Sequence, residues 1–256
     1  MQSLSDVPGA RPSSTVVLVR DTGAAPELLM VRRHERSSFG GAYAFPGGVL
    51  ESADQEIAEW CDGVTAAKAA RLLGIDDGLA YFSAAIRELF EESGVLLATM
   101  GDPAVDLDAA RGALNSGQLD WARFVAESEI RLHCAGLHYF SFWITPVVLP
   151  KRYSTRFFLA AMPDEQEAVH CGGELTESCW ISAQAALDAE RAGSMSIHFP
   201  TIKTLEELAR HASVEELLAW AAAKSQAGVP CIFPEISRGN SERRVIVAGK
   251  DAGELK

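Results

Sequence analysis

The chain has 256 residues, 48% of them hydrophobic, with 35 acidic against 23 basic side chains and a formal net charge of −12. That length can bury a sizeable core and lies at the upper end for one domain, whereas the acidic balance argues against a surface that tracks nucleic-acid phosphates. No stretch reaches the roughly 18 apolar residues of a membrane helix, and the first 14 residues carry only Asp6 and Arg11 as charges, so neither a membrane partner nor a secretory leader is expected.

Taken along the chain, residues 15–19 and 27–31 are rich in valine and leucine and predict two strands, joined by a turn around Gly23 and Pro26. Residues 64–73 predict a helix stopped by Gly74. Asp76 or Asp77 then caps a second helix that ends at Gly94. On that helix Ala85, Ile86 and Leu89 form the expected buried side, which would turn Glu88, Glu91 and Glu92 outward into a cleft. Helices are expected at residues 108–114 and 121–130, strands at 139–144 and 155–159, and two further helices at 202–210 and 214–224. Gly172 and Gly173 mark a loop that would carry Glu174 and Glu177. The expectation is one domain over residues 1–256, with a helical insertion at about 55–82 and a C-terminal helical decoration at about 200–225.

The five cysteines at 61, 134, 171, 179 and 231 form no C-x-x-C pair and are odd in number, which suits reduced thiols and a cytoplasmic location. His133, Cys134, His138, His170, Cys171 and Cys179 are spaced too irregularly to predict a zinc site. The final Glu254-Leu255-Lys256 is not a peroxisomal address.

The chemistry concentrates in two short segments: Phe45-Pro46-Gly47-Gly48, and Arg87-Glu88-Leu89-Phe90-Glu91-Glu92-Ser93-Gly94-Val95. Positions i, i+3 and i+4 share one face of a helix, so Glu88, Glu91 and Glu92 converge as like charges that call for a cation between them. Hard carboxylate oxygens suit Mg²⁺ or Mn²⁺, which typically combine one or two such ligands with substrate phosphates. Gly47 and Gly48 carry no Cβ and let backbone approach a metal and a phosphate closely.

These residues resemble the signature of the Nudix hydrolases, G-x5-E-x7-R-E-U-x-E-E-x-G-U with U aliphatic. Arg87, Glu88, Leu89, Glu91, Glu92, Gly94 and Val95 match every fixed position of its second half. The first half begins at Gly48 and places Asp54 where the family usually has Glu, and 32 residues, 55–86, separate Asp54 from Arg87 where the signature has 7. Such a split signature resembles a branch of the family, some of whose members cleave coenzyme A. The resemblance implies a Nudix-type α/β/α sandwich with a mixed sheet and extra helical insertions. It also implies a metal-dependent hydrolase of the diphosphate in a nucleoside diphosphate derivative, coenzyme A or acyl-coenzyme A among the candidates. An ADP-ribose or NADH pyrophosphatase, or a non-catalytic Nudix-fold ligand sensor, is the alternative.

On this reading Glu88, Glu91, Glu92 and Gly47 hold Mg²⁺ or Mn²⁺, and Glu91, Arg87 and Glu174 are catalytic. The resemblance suggests that Arg87 pairs with carboxylates, Asp54 included. Arg33, Arg156 and Gly48 are assigned to substrate binding, and Phe39 and Trp143 are candidate stacking rings, although core packing is the commoner fate of aromatics. The expected partner is a small-molecule nucleoside diphosphate derivative, with room for a homodimer.

Overall fold

Four consecutive apolar residues, Val16-Val17-Leu18-Val19, cannot alternate between core and water, so both faces of their strand must be covered. In the computed structural model they are all fully buried. The structure describes residues 9–34, 40–101, 104–170, 175–236, 243–247 and 250–251, without the side chains of Arg33 and of residues 235–251. In chain order its elements are β1 (Ala10–Arg20), β2 (Glu27–Arg33), β3 (Tyr43–Ala44), β4 (Gly47–Val49), α1 (Ala66–Leu73), α2 (Gly78–Ser93) and β5 (Ala98–Thr99). There follow α3 (Leu107–Asn115), α4 (Trp121–Glu127), β6 (Arg131–Leu132), β7 (His138–Ile144), β8 (Arg152–Ala161) and β9 (Leu175–Ser182). The chain closes with α5 (Ala183–Arg191), α6 (Phe199–Leu208), α7 (Val214–Ala227), β10 (Cys231–Ile236), β11 (Arg243–Val247) and β12 (Lys250–Asp251).

The main sheet is mixed, in the order β12-β11-β10-β7-β8-β1-β2-β3, with β4 also pairing β1 and β9 also pairing β2. Strand alternation sends Val16 and Leu18 to one face, where they pack with Phe82, Ala85, Ile86 and Leu89 of α2. Val17 and Val19 point the other way and pack with Ala186 of α5, Leu205 of α6 and Leu217 of α7. Helices therefore cover both faces, giving the α/β/α sandwich with a mixed sheet that was expected.

Two registers position the site. Ser14 of β1 lies opposite Arg156 of the parallel strand β8 and opposite Gly48 of the antiparallel strand β4. Its hydroxyl donates to the carbonyl of Tyr81 on α2 at 2.8 Å, so sheet and helix are tied where the glycines lie.

Most expected boundaries hold within a few residues. Thr65 caps α1, Gly74 ends it with φ +70°, Asp77 stands at the N-cap of α2, and Gly94 ends α2 with φ +77°. Three expectations change. The helix expected over 121–130 stops at Glu127. Glu177 lies on β9 opposite Arg32, not in a loop. The third change concerns α2: every residue of it except Glu88 and Glu91 is buried, so its carboxylate face does not open broadly outward.

Candidate active site

α2 is buried nearly all round, enclosed by the rest of the fold although its second half is rich in charged side chains. The polar residues it carries are thus forced to find partners inside. Arg87 is 1% exposed and makes five hydrogen bonds. Its Nε and Nη2 fork onto the two oxygens of Asp54 at 3.2 and 3.1 Å. Nη2 also donates to the carbonyl of Val49 at 2.9 Å, and Nη1 is shared between Glu88 at 2.9 Å and Glu91 at 3.2 Å. One guanidinium therefore holds three carboxylates in register, the bidentate geometry on Asp54 being one that an ammonium cannot copy.

Asp54 is as buried as its partner and is saturated by donors. It accepts from the Ser83 hydroxyl at 2.8 Å and from the Glu51 N–H at 2.9 Å, in addition to Arg87. Ser83 in turn accepts from the indole N–H of Trp121 at 3.0 Å, which links α4 to the cluster. The residue that stands where the signature usually has Glu is thus fixed by four hydrogen bonds despite its shorter side chain.

The glycines do two separate things. The N–H of Gly47 donates to Glu92 at 2.9 Å, so its backbone anchors a carboxylate. A Cβ on Gly48 would overlap the carboxylate of Glu88, and one on Gly47 would overlap the Ser14 carbonyl and Thr15. The missing side chain at Gly48 makes room for Glu88 itself.

Electrostatics follow from this crowding. Burial pushes the Glu91 carboxyl up to about 7; Arg87 pulls it down, and the neighbouring carboxylates of Glu88, Glu51 and Asp54 push it further up. Burial alone would lower the affinity of Arg87 for its proton. The carboxylates of Glu88, Asp54 and Glu91 more than reverse this and hold it above the usual arginine value. Glu88 and Glu91 keep 14% and 18% of their side chains exposed, so the cluster meets solvent through these two.

The donor set fits a hard divalent cation: three carboxylates on one helical face, a glycine cradle pressed on one of them, and a buried carboxyl whose charge is disfavoured. Among the described residues, however, no three His, Cys, Asp or Glu side chains are already drawn together as a cation site. Glu88 and Glu91 share Arg87, while Glu92 is turned to Gly47.

Not every expected residue joins this cluster. Arg156 is 1% exposed, sandwiched between the rings of Tyr81 at 4.2 Å and Phe142 at 4.3 Å, with Nη2 donating to the Leu73 carbonyl at 3.4 Å. It was expected to touch substrate phosphates; enclosed between α1, α2 and β7, it packs the core instead. Trp143 is also core, edge-on to Phe199. Glu177 accepts from the Tyr43 hydroxyl at 2.8 Å, away from the carboxylates of α2. Glu174, Phe39 and the side chain of Arg33 lie outside the described residues. Ser83, Trp121, the Val49 carbonyl and the Glu51 N–H also join the cluster, none of them expected from the sequence. Only Ser83 had a detectable signal, one helical turn before Arg87.

Several known proteins are similar to this chain over most of its length. A family profile described as the NUDT19 Nudix domain matches residues 67–208, which include all of α2. Nudix hydrolase 7 of Caenorhabditis elegans is 27% identical over 78% of this chain, and the acyl-coenzyme A diphosphatase NUDT19 of Gallus gallus is 28% identical over 79% of it. The human acyl-coenzyme A diphosphatase NUDT19 is 24% identical over 82%. The chain spans 61% of the length of the first of these relatives and 66% and 67% of the other two. The crystal structure of a NUDIX hydrolase from Alicyclobacillus acidocaldarius is similar with a TM-score of 0.71 and 26% identity, covering 83% of this chain and 97% of that one.

Proposed function

Because the chain belongs to the NUDT19 Nudix domain family of Nudix hydrolases, we propose that it hydrolyses the diphosphate of coenzyme A or a short acyl derivative, releasing 3′,5′-ADP and a phosphopantetheine. The observation that carries this reading is that the buried guanidinium of Arg87 holds Asp54, Glu88 and Glu91 together. The acyl-coenzyme A diphosphatases among the relatives supply the substrate class.

Glu88, Glu91 and Glu92 would hold Mg²⁺ or Mn²⁺ on the face of α2. When bound, such an ion neutralises the charge of the diphosphate and makes a water more acidic. The protein's own residues supply the rest. Arg87 is a positioning residue: it orients Glu88 and Glu91 from behind and, at 1% exposure, does not reach solvent. Gly48 leaves the space that Glu88 occupies. Of the three carboxylates on Arg87, Glu91 keeps the largest exposed share, which makes it the group best placed to take the proton of an attacking water. Glu174 remains the alternative base. Nothing in the site asks for nucleic acid, and among the described residues no helix is long and apolar enough to cross a membrane.

The test is kcat/KM for coenzyme A, its 3′-dephosphorylated form and ADP-ribose in Mg²⁺ and in Mn²⁺. A clear preference for coenzyme A supports the proposal. Equal values for the first two, or a preference for ADP-ribose, would leave the reaction in place and overturn the substrate.

A further inference from the structure

Two thiols that play no part in the hydrolytic site meet where the segment before α1 crosses the chain that leads into β7. Cys61 follows a short 3-10 turn at Ala58–Trp60, and Cys134 opens another at Cys134–Gly136. The two backbones are zipped together around them. Cys61 pairs with Leu132 in an isolated parallel bridge, the N–H of Asp62 donates to the Leu132 carbonyl at 2.8 Å, and the N–H of Ala135 donates to the Asp62 carbonyl at 3.2 Å. A Cβ on Gly63 would overlap the Cβ of Ala135, so the strands cannot drift apart or slide without losing a close fit. Each cysteine is thus adjacent in sequence to a residue that hydrogen-bonds the other segment.

The thiols differ in access. Cys61 is partly exposed and its Sγ contacts the Ile57 carbonyl at 3.6 Å. Cys134 is fully buried. The neighbouring Cys61 and burial both push its thiol pKa up. The Cys61–Leu132 bridge and the bond from the Ala135 N–H to Asp62 set the two cysteines on facing segments.

We propose that Cys61 and Cys134 are an oxidation site, a thiol pair that hydroperoxides convert to an intramolecular disulfide. Cys61, the accessible member, attacks the terminal oxygen of the peroxide; the O–O bond breaks, its proton passes to solvent, and the sulfur becomes a sulfenic acid while the peroxide leaves as water or an alcohol. The sulfur of Cys134 then attacks the sulfur of Cys61, the S–O bond breaks, and the hydroxide leaves as water with the proton of Cys134. Two thiols lose two electrons in total, and the peroxide accepts them. The disulfide closes a chain segment that contains α1, α2 and the carboxylates of Glu88, Glu91 and Glu92, while Asp54 lies outside it. It restricts the unfolded chain without touching the carboxylates, and a loop of this length is one where the entropic gain is large.

The experiment is a titration of the full chain with hydrogen peroxide, followed by intact mass, peptide mapping under non-reducing conditions and thermal melts. The expected result is a loss of two hydrogens per chain, a peptide linking Cys61 to Cys134, and a melting temperature raised by about 5 °C or more, reversed by a dithiol reductant. Cys61→Ser and Cys134→Ala should each abolish the linked peptide and the rise, whereas Cys179→Ser should retain both. Comparing each variant with its own untreated sample keeps the readout valid if Cys134→Ala is less stable. Addition of one or more oxygens at Cys61 with no linked peptide, a link to another cysteine, or a rise that survives in Cys61→Ser would overturn the assignment.

Discussion

Removing the carboxylate of Asp54 should be among the most damaging single changes in the molecule, and the structure sets its size. Asp54→Ala deletes the acceptor for four donors: two nitrogens of Arg87, the Ser83 hydroxyl and the Glu51 N–H, at 2.8 to 3.2 Å. Arg87 is left 1% exposed with its charge only partly matched by Glu88 and Glu91. Breaking a buried pair by removing one partner costs about 3–5 kcal/mol. Two carboxylates remain on Arg87, so the lower end applies, about 3 kcal/mol. For a chain of this size that corresponds to a fall in melting temperature of roughly 6–12 °C. Asp54→Asn keeps the shape and one acceptor oxygen, and should cost about 1–3 kcal/mol. Urea unfolding followed by circular dichroism measures both. If Asp54→Ala lies within about 1 kcal/mol of the unaltered protein, the buried Asp54–Arg87 pair is not the strut described here.

Glu92→Gln keeps an oxygen that can accept from Gly47, so its melting temperature should stay near that of the parent, while turnover at saturating Mg²⁺ falls at least ~10²-fold as a charged ligand is lost; near-normal turnover would remove Glu92 from the site. Arg87→Lys loses the fork on Asp54 and cannot at the same time serve Val49, Glu88 and Glu91, so both thermal stability and the apparent affinity for Mg²⁺ should fall; melts with unchanged metal titrations would make Arg87 purely structural. Gly48→Ala places a methyl group on the Glu88 carboxylate, and should cost roughly tenfold or more in kcat/KM with little change in stability. Adding Mg²⁺ or Mn²⁺ to the unaltered protein should raise its melting temperature in proportion to the logarithm of ion concentration above the dissociation constant, an effect that Glu92→Gln should blunt.

The limits of α2 could be read from local chemistry, since Asp77, Gly74 and Gly94 are punctuation that acts within one turn. The likeness of Arg87 through Val95 to a family signature was equally local. The link from Trp121 through Ser83 to Asp54 was not legible, because a hydrogen bond across 38 residues leaves no periodic trace. Arg156 misled for a different reason: an arginine on a strand can face substrate or core, and only the rings of Tyr81 and Phe142 on neighbouring elements decide. Glu177 was masked by the preceding glycines, although Leu175 through Ser182 carries the β-branched residues of a strand. The strands at Cys231–Ile236 and beyond went unread, with Pro234 inside the first of them obscuring the pattern.

The most direct test of the central claim is to identify the products formed from coenzyme A in Mg²⁺ by mass spectrometry, with the unaltered chain and Glu92→Gln run side by side. The account predicts 3′,5′-ADP and phosphopantetheine in equal amounts from the first and at least ~10²-fold less from the second. An intact diphosphate, or equal yields from both proteins, would contradict it.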